Sequence, residues 1–450
     1  MPANYVLLSK VTVGAAGAAS VTMANIPQSG YTDLKVVASV RSTKADTSDY
    51  IYFTFSGSSS YAATKILFGS GSSAGSFNWS TVSGITGGII NAASNTASTF
   101  SSVDIYIPNY TASQYKSVSI DTVQEGNTGS GIYATMMAGL SNSNTAISTI
   151  TFANESGSNF IANSTFYLYG LAAVGTTPVI APFASGGDVV TNDGTYWYHA
   201  FLSSGTFTPA KALTCDALVV AGGGGTLNSG GENGGGGGAG GVLAFASQAL
   251  TSNTANTVTV GAGGTFGSSG TNGVNSQFAS LTASVGGGRG GYGSATTGSS
   301  GGSGGGGGNG TNGGTATSGQ GNAGGNGVNS APHYGAGGGG GAGGAGSSGA
   351  GGGGAGGAGV NTVTNWGAIA TALSNAGIGA SGYIAGGGGG SGNTTGGTGG
   401  AGGGGGGGNS TAAGITAGQV NTGSGGGGGR AGVDGAAGGS GFVIVRYLMA

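Results

Sequence analysis

Past Ala221 the chain becomes a succession of glycine runs, among them Gly234–Gly238, Gly304–Gly308, Gly351–Gly354, Gly386–Gly390 and Gly402–Gly408. Glycine loses more backbone freedom on folding than any other residue and has no side chain to bury. Such a tract is disordered unless backbone packing offsets an ordering cost of about 1 to 2 kcal/mol per residue. Collagen needs glycine at every third position and abundant proline, whereas the last proline here is Pro332. A polyglycine sheet is weak because it has nothing to pack. The remaining ordered state is the left-handed extended helix with three residues per turn, whose bare backbones can approach and hydrogen-bond laterally. The tracts are therefore expected to form a bundle of polyglycine II helices, with alanines at rim positions where a methyl fits.

Glycine supplies 113 of the 450 residues and charged residues only 5%, against about 25% in an ordinary soluble domain. Solubility therefore rests on Ser, Thr, Asn and backbone amides. The net charge is −2, and no lysine follows Lys211. A basic face for phosphates is not available, so nucleic acid is not expected as a partner. The single cysteine, Cys215, excludes an intrachain disulfide framework, and its apolar setting is that of a buried small hydrophobe. Met1–Tyr5 has no basic stretch leading into an apolar one, and no apolar run approaches the roughly 20 residues of a membrane span. Neither a signal peptide nor membrane insertion is expected.

Residues 1–171 have the period-two alternation of short strands separated by Gly, Ser and Asn clusters. Leu34, Val36, Ala38 and Val40 share one face, as do Ile51, Phe53 and Phe55, and then Val103, Ile105 and Ile107. About ten such strands without a convincing amphipathic helix indicate a β-sandwich of jelly-roll type. Residues 172–188, with Pro178 and Pro182, have linker composition. A hairpin is expected next, with Thr195–Phe201 and Thr206–Pro209 joined by Ser203-Ser204-Gly205. In the glycine-rich domain, residues 189–450, strand islands stand at Asp216–Ala221, Gly241–Phe245, Asn256–Val260, Ser276–Leu281 and Gly441–Tyr447. Trp366, Ile369, Ala370 and Leu373 have the spacing of one short helix. The fold class is all-β, a sandwich followed by short strands and polyglycine II helices.

Leu218–Gly225, Gly240–Leu243, Val258–Gly264, Gly273–Phe278 and Gly438–Tyr447, taken in order, resemble the glycine-rich domain of bacteriophage tail-fibre and other virion proteins. Ile105–Tyr110 and Ser164–Gly170 are similar to β-rich modules of phages of aquatic bacteria. The resemblance implies a phage virion structural protein on the particle exterior, a tail fibre or adhesin that contacts the bacterial surface. It also implies a homotrimer and attachment to other virion proteins through the N-terminal domain. The alternative is a capsid decoration or head-fibre protein with no receptor role.

Gly-x-Gly-x-x-Gly matches are by-products of composition, since no strand, helix and Lys or acidic partner accompany them. Only Glu232 and Asp434 are acidic beyond residue 221, too few for calcium-binding repeats. No metal or cofactor is expected. Asp46 and Asp49 could form a carboxylate pair but fit turn chemistry better, and His199 and His333 are far apart, so an enzyme is not expected. The residues that interrupt the glycine are more informative. Tyr292, His333, Tyr334, Trp366 and Tyr383 must lie at rims or ends of a glycine lattice, where they either wedge it or stack on sugar faces beside hydroxyl-binding amides. They form the candidate ligand-binding set for a bacterial surface glycan or protein.

Overall fold

In the computed structural model the described residues are 5–56, 61–70, 73–79, 84–126, 132–172, 182–227, 232–268, 270–331, 333–377, 382–430 and 432–449. Two compact units form, Met1–Pro182 with Asp188–Trp197 and Met449–Ala450, and Phe183–Gly187 with Tyr198–Leu448. Of the segment read as linker, 173–181 lie outside the described residues, while Ala184–Ser185 form a short strand of the second unit.

The first unit contains β1 (Tyr5–Thr12), β2 (Ser20–Met23), β3 (Tyr31–Val40), β4 (Ser48–Phe55), β5 (Tyr61–Ser70), β6 (Ser73–Trp79), β7 (Ile85–Asn91), β8 (Ser101–Ile107), β9 (Lys116–Gln124), β10 (Tyr133–Ser141), β11 (Ile150–Asn154) and β12 (Thr165–Ala172). Beyond them follow β13 (Ala184–Ser185), β14 (Val189–Asn192), β15 (Tyr196–Phe201), β16 (Gly205–Pro209), β17 (Leu213–Val220), β18 (Val242–Leu250), β19 (Asn256–Thr259) and β20 (Gln277–Phe278). The remaining elements are β21 (Val328–Ser330), β22 (His333–Gly335), β23 (Thr362–Val363), β24 (Gly367–Ala368), α1 (Ile369–Asn375) and β25 (Phe442–Leu448).

In the first unit an antiparallel sheet in the order β14-β1-β12-β3-β8-β9-β10-β5-β6 faces a second in the order β2-β11-β4-β7. The alternation dictates which side chains meet. Leu34, Val36 and Val40 of β3, Phe53 of β4, Phe152 of β11 and Phe166 of β12 enter one core. Phe152 lies 5.7 Å from Phe53 and 5.2 Å from Phe166, so aromatic packing links the two sheets. Arg41, 5% exposed, is held by the carbonyls of Ala93, Asn95, Thr96 and Thr99, which wrap the 93–99 loop around its guanidinium. Asp46 and Asp49 do not act as a carboxylate pair. Asp46 caps Thr47 N–H and pairs with Lys44, whereas buried Asp49 accepts from the hydroxyls of Ser156 and Ser158, both at 2.7 Å.

In the second unit β18-β17-β25-β15 form one sheet and β13-β16-β19-β20 another. The expected hairpin does not form, because β15 and β16 enter different sheets. Their rings explain the crossover. Phe207 of β16 is fully buried, edge-on to His199 of β15 and Tyr447 of β25, at 5.1 and 6.2 Å. His199 Nδ1 donates to the carbonyl of Gly186 at 2.8 Å, which leaves Nε2 to accept from Tyr447 Oη at 3.1 Å. The expected helix starts at Ile369 rather than at Trp366. Gly367, at φ +68°, breaks the spiral, and its residue pair Gly367–Ala368 joins Thr362–Val363 in a small ladder.

Between the strands the glycine tracts hydrogen-bond with a period of three. Along Gly234–Gly241, residues 234, 237 and 240 donate to the carbonyls of 429, 426 and 423. Residues 235, 238 and 241 donate to 291, 288 and 285, and residues 236 and 239 to 337 and 340. The same segment accepts from Gly224, Ser303, Gly306, Gly388 and Ser391, so six tracts surround it. Three residues per turn, with every N–H directed to another tract, is the polyglycine II pattern. Along Gly387–Gly392 the period repeats: 387 and 390 donate to 357 and 354, 388 and 391 to 237 and 234, and 389 and 392 to 405 and 408.

This packing leaves no room for a side chain. A Cβ built on Gly235, Gly236 or Gly237 would lie 2.1, 2.0 or 2.1 Å from the carbonyl oxygen of Gly306, Gly388 or Gly224. At the rim, side chains replace a missing neighbour. Asn272 and Asn275, three residues apart, accept from the N–H groups of Arg289 and Gly286, each at 2.9 Å. Alanine is not confined to the rim. Ala345 and Ala358 are exposed there, but Ala221, Ala239, Ala336 and Ala385 are fully buried at or near helix ends.

Two predictions follow from this packing. Gly236→Ala should lower stability by about 3 kcal/mol or more by overpacking. Gly344→Ala, whose Cβ would find its nearest neighbour at 3.6 Å, should change it by less than about 0.5 kcal/mol; thermal unfolding compares the two. The alkaline limb concerns Cys215 and Tyr447, which lie opposite each other in β17 and β25 and are both buried. Burial pushes the Cys215 thiol up to about 12 and raises the Tyr447 phenol as well. Each is neutral when protonated, and the folded chain holds its proton at a pH where the unfolded chain releases it. Their contribution is complete below about pH 8.5 and falls by about 1.4 kcal/mol per pH unit for the thiol as pH rises toward 12, with Tyr447 adding to the loss above about pH 10. Melting temperature measured from pH 8 to 11 should fall more gently in Cys215→Val than in the parent chain between pH 9 and 10.

Candidate functional site

The direction of each tract places the residues that interrupt the glycine. β17 ends at Val220 and the chain runs outward through Gly222–Thr226, and Gly234–Gly241 returns it to β18. Pairing from this pair of tracts to the rest defines two ends. At the near end Gly241 meets Val285, Gly240 meets Gly423, and Ala385 meets Thr422. At the far end Gly234 meets Gly429 and Ser391, while Asn233 meets Gly293.

The five candidate rings divide between these ends. Tyr292, Tyr334 and the hairpin β21–β22 that contains His333 lie at the far end, and the His333 side chain lies outside the described residues. Trp366 and Tyr383 belong to the 360–384 insertion, which leaves and re-enters the lattice at the near end through the pairing of Val360 with Ile384. Trp366 is 5% exposed, with the Arg446 guanidinium 4.3 Å above its ring and Tyr198 edge-on at 6.5 Å. Arg446 is itself held by Asp216 at 2.9 Å, so Trp366 is a packing residue of the insertion. The Tyr383 hydroxyl accepts from Asn361 Nδ2 at 3.2 Å and the ring edge is exposed.

At the far end a buried amide organises the loops. Asn233, 2% exposed, donates through Nδ2 to the Tyr334 carbonyl at 2.5 Å and to Asn393 Oδ1 at 3.1 Å. Asn393 N–H donates to the same Tyr334 carbonyl at 3.2 Å, and Ser391 Oγ bridges back to the Gly234 carbonyl at 3.2 Å. Glu232, next in sequence, accepts from Ser294 N–H at 3.1 Å, two residues beyond half-buried Tyr292. The Tyr334 backbone is thus pinned while its side chain is exposed. Fixed backbones carrying exposed rings and amides can present stacking surfaces and hydrogen-bonding groups at little entropic cost. Neither Asn233 nor Asn393 belongs to the ligand-binding set read from the sequence. Their signal is an amide placed directly beside a glycine run, as in Glu232-Asn233-Gly234 and Ser391-Gly392-Asn393.

Among the described residues no group of three or more His, Cys, Asp and Glu side chains could hold a metal ion. No helix is long and apolar enough to cross a membrane.

Residues 202–448, more than half of the chain, match the glycine-rich domain family, and the chain belongs to it. No curated protein and no solved structure matches the chain. The family boundary at residue 202 falls at the end of β15, ahead of the strands that enclose the lattice.

Asn233→Ala should cost about 1 to 3 kcal/mol, because Asn393 Oδ1 would lose its buried amide donor and the Tyr334 carbonyl would keep only the longer bond from Asn393 N–H. Hydrogen exchange should accelerate in 330–335 and 391–395 while Gly236–Gly238 remain protected; unchanged exchange in both loops would refute the pinning role.

Proposed function

We propose that this is a non-enzymatic structural protein of a bacteriophage virion, a tail fibre or adhesin displayed on the particle exterior. One observation carries the reading: a stiff glycine lattice ends in pinned loops that present Tyr292 and Tyr334 at a single far end. Such a lattice resists bending because its helices are cross-bonded in three directions. Its loops can vary in sequence without disturbing the tracts, which suits recognition of a bacterial surface glycan or protein. The charge-poor composition, with net charge −2, favours neither nucleic acid nor an anionic membrane as the target.

In this reading the first unit anchors the protein to other virion proteins and the chain assembles as a homotrimer. Trimeric assembly would give a sedimentation mass of 125.1 kDa, three times the chain's 41.7 kDa.

The test is competition for adsorption. Purified full-length protein at micromolar concentration should slow attachment of the particle to its host. The double variant Tyr292→Ala/Tyr334→Ala should compete about tenfold less well. Undiminished adsorption in the presence of excess protein, with antibody labelling confined to the head, would instead establish a capsid decoration or head-fibre role.

A further inference from the structure

The outer face of the first unit's large sheet presents chemistry that neither its core nor the far-end loops use. Cross-strand register arranges its outward side chains in rungs. One rung runs Tyr169, Lys35, Tyr106 and Ser119 across β12, β3, β8 and β9. The next runs Lys10, Tyr167, Val37, Asp104, Asp121 and Met136 from β1 to β10. Tyr167 and Tyr169 lie side by side on one strand, ring centroids 6.4 Å apart and planes 14° from parallel. Tyr5 stands edge-on to Tyr169 at 6.4 Å and is 48% exposed.

The second rung breaks a rule of sheet pairing. Asp104 and Asp121 are directly opposite each other, and like charges so placed are destabilising. Lys35 Nζ pairs with Asp104 at 2.8 Å, and among the described residues Asp121 makes no ion pair. Met136, next in the rung, is 59% exposed. Lys35 attracts both carboxylates, and on a solvated face beside parallel rings the pair offers acceptor oxygens that the core does not use.

The chemistry narrows the occupant. Asp33, Asp104 and Asp121 are matched by Lys10, Lys35 and, at the β5 register position opposite Ala138, Lys65, so the face has no cationic excess to attract an anionic polymer. Tyrosine rings accept the C–H faces of pyranoses, and carboxylates accept hydrogen bonds from sugar hydroxyls. We propose that this face binds a neutral, extended glycan, with successive sugars stacked on Tyr167 and Tyr169 and hydroxyls donating to Asp104 and Asp121. The site is separate from the far-end loops and does not depend on their role.

Calorimetric titration of the full chain with cellohexaose, xylohexaose, maltohexaose and chitohexaose tests it. At least one should bind with a Kd of about 0.01 to 1 mM. Binding should weaken about tenfold in Tyr167→Ala and in Tyr169→Ala and remain within about twofold in Tyr167→Phe. Thermal unfolding checks that each variant folds. Should the alanine variants melt, Asp121→Lys at the solvated end of the rung must abolish binding by itself. The proposal is overturned if no hexasaccharide binds at about 5 mM. It is equally overturned if binding survives both Tyr167→Ala and Asp121→Lys, or if binding is lost only in Tyr334→Ala, which would move the sugar to the far end.

Discussion

The lateral N–H···O=C bond between glycine backbones supports the second unit. In a helix with three residues per turn, consecutive N–H groups are directed to three different neighbours, so a single tract knits several others together. Gly234–Gly241 bonds six tracts in this way, and Gly387–Gly392 repeats the arrangement. The bond requires backbone approach so close that a Cβ would fall about 2 Å from a partner carbonyl. Glycine is therefore a steric requirement of the lattice, and its large entropy loss is offset by hydrogen bonds that no bulkier residue could make.

The other features follow from where that bond stops. At the rim, Asn272 and Asn275 supply side-chain carbonyls in place of a missing helix, with the same three-residue spacing. Where the tracts begin and end, β17, β18 and β25 form a conventional apolar sheet whose Leu218, Val219, Ile444 and Val445 are fully buried. At the opposite end the described tracts close through loops and the short β21–β22 hairpin. Buried Asn233 then does what the lattice cannot, by tying the Tyr334 and Asn393 loops to one amide.

Much of this was legible in the chain. Period-two alternation located β3, β4 and β8, and the apolar islands became β18, β19, β20 and β25. Other features were decided by contacts distant in sequence. Ser203-Ser204-Gly205 has the turn chemistry of a hairpin, yet Phe207 beyond it is drawn to His199 and Tyr447 between two sheets. Trp366 fits a helical stripe, yet Gly367 at φ +68° excludes it from α1 and Arg446 covers its ring. The five rings were read as one set because each interrupts glycine. Only the up-and-down course of the tracts separates Tyr292 and Tyr334 from Trp366 and Tyr383.

The sequence by itself determined that the second half must fold through its backbone, since residues without side chains leave only main-chain bonds and close approach to oppose entropy. It also determined the three-residue period, because no other ordered state accepts bare glycine without proline. What only the tertiary structure decided is which tract bonds to which, and hence which loops share an end. Glycine tracts are chemically alike and carry no side-chain code for pairing. Partner choice therefore comes from the turns, the capping amides and the strands that fix where each tract starts.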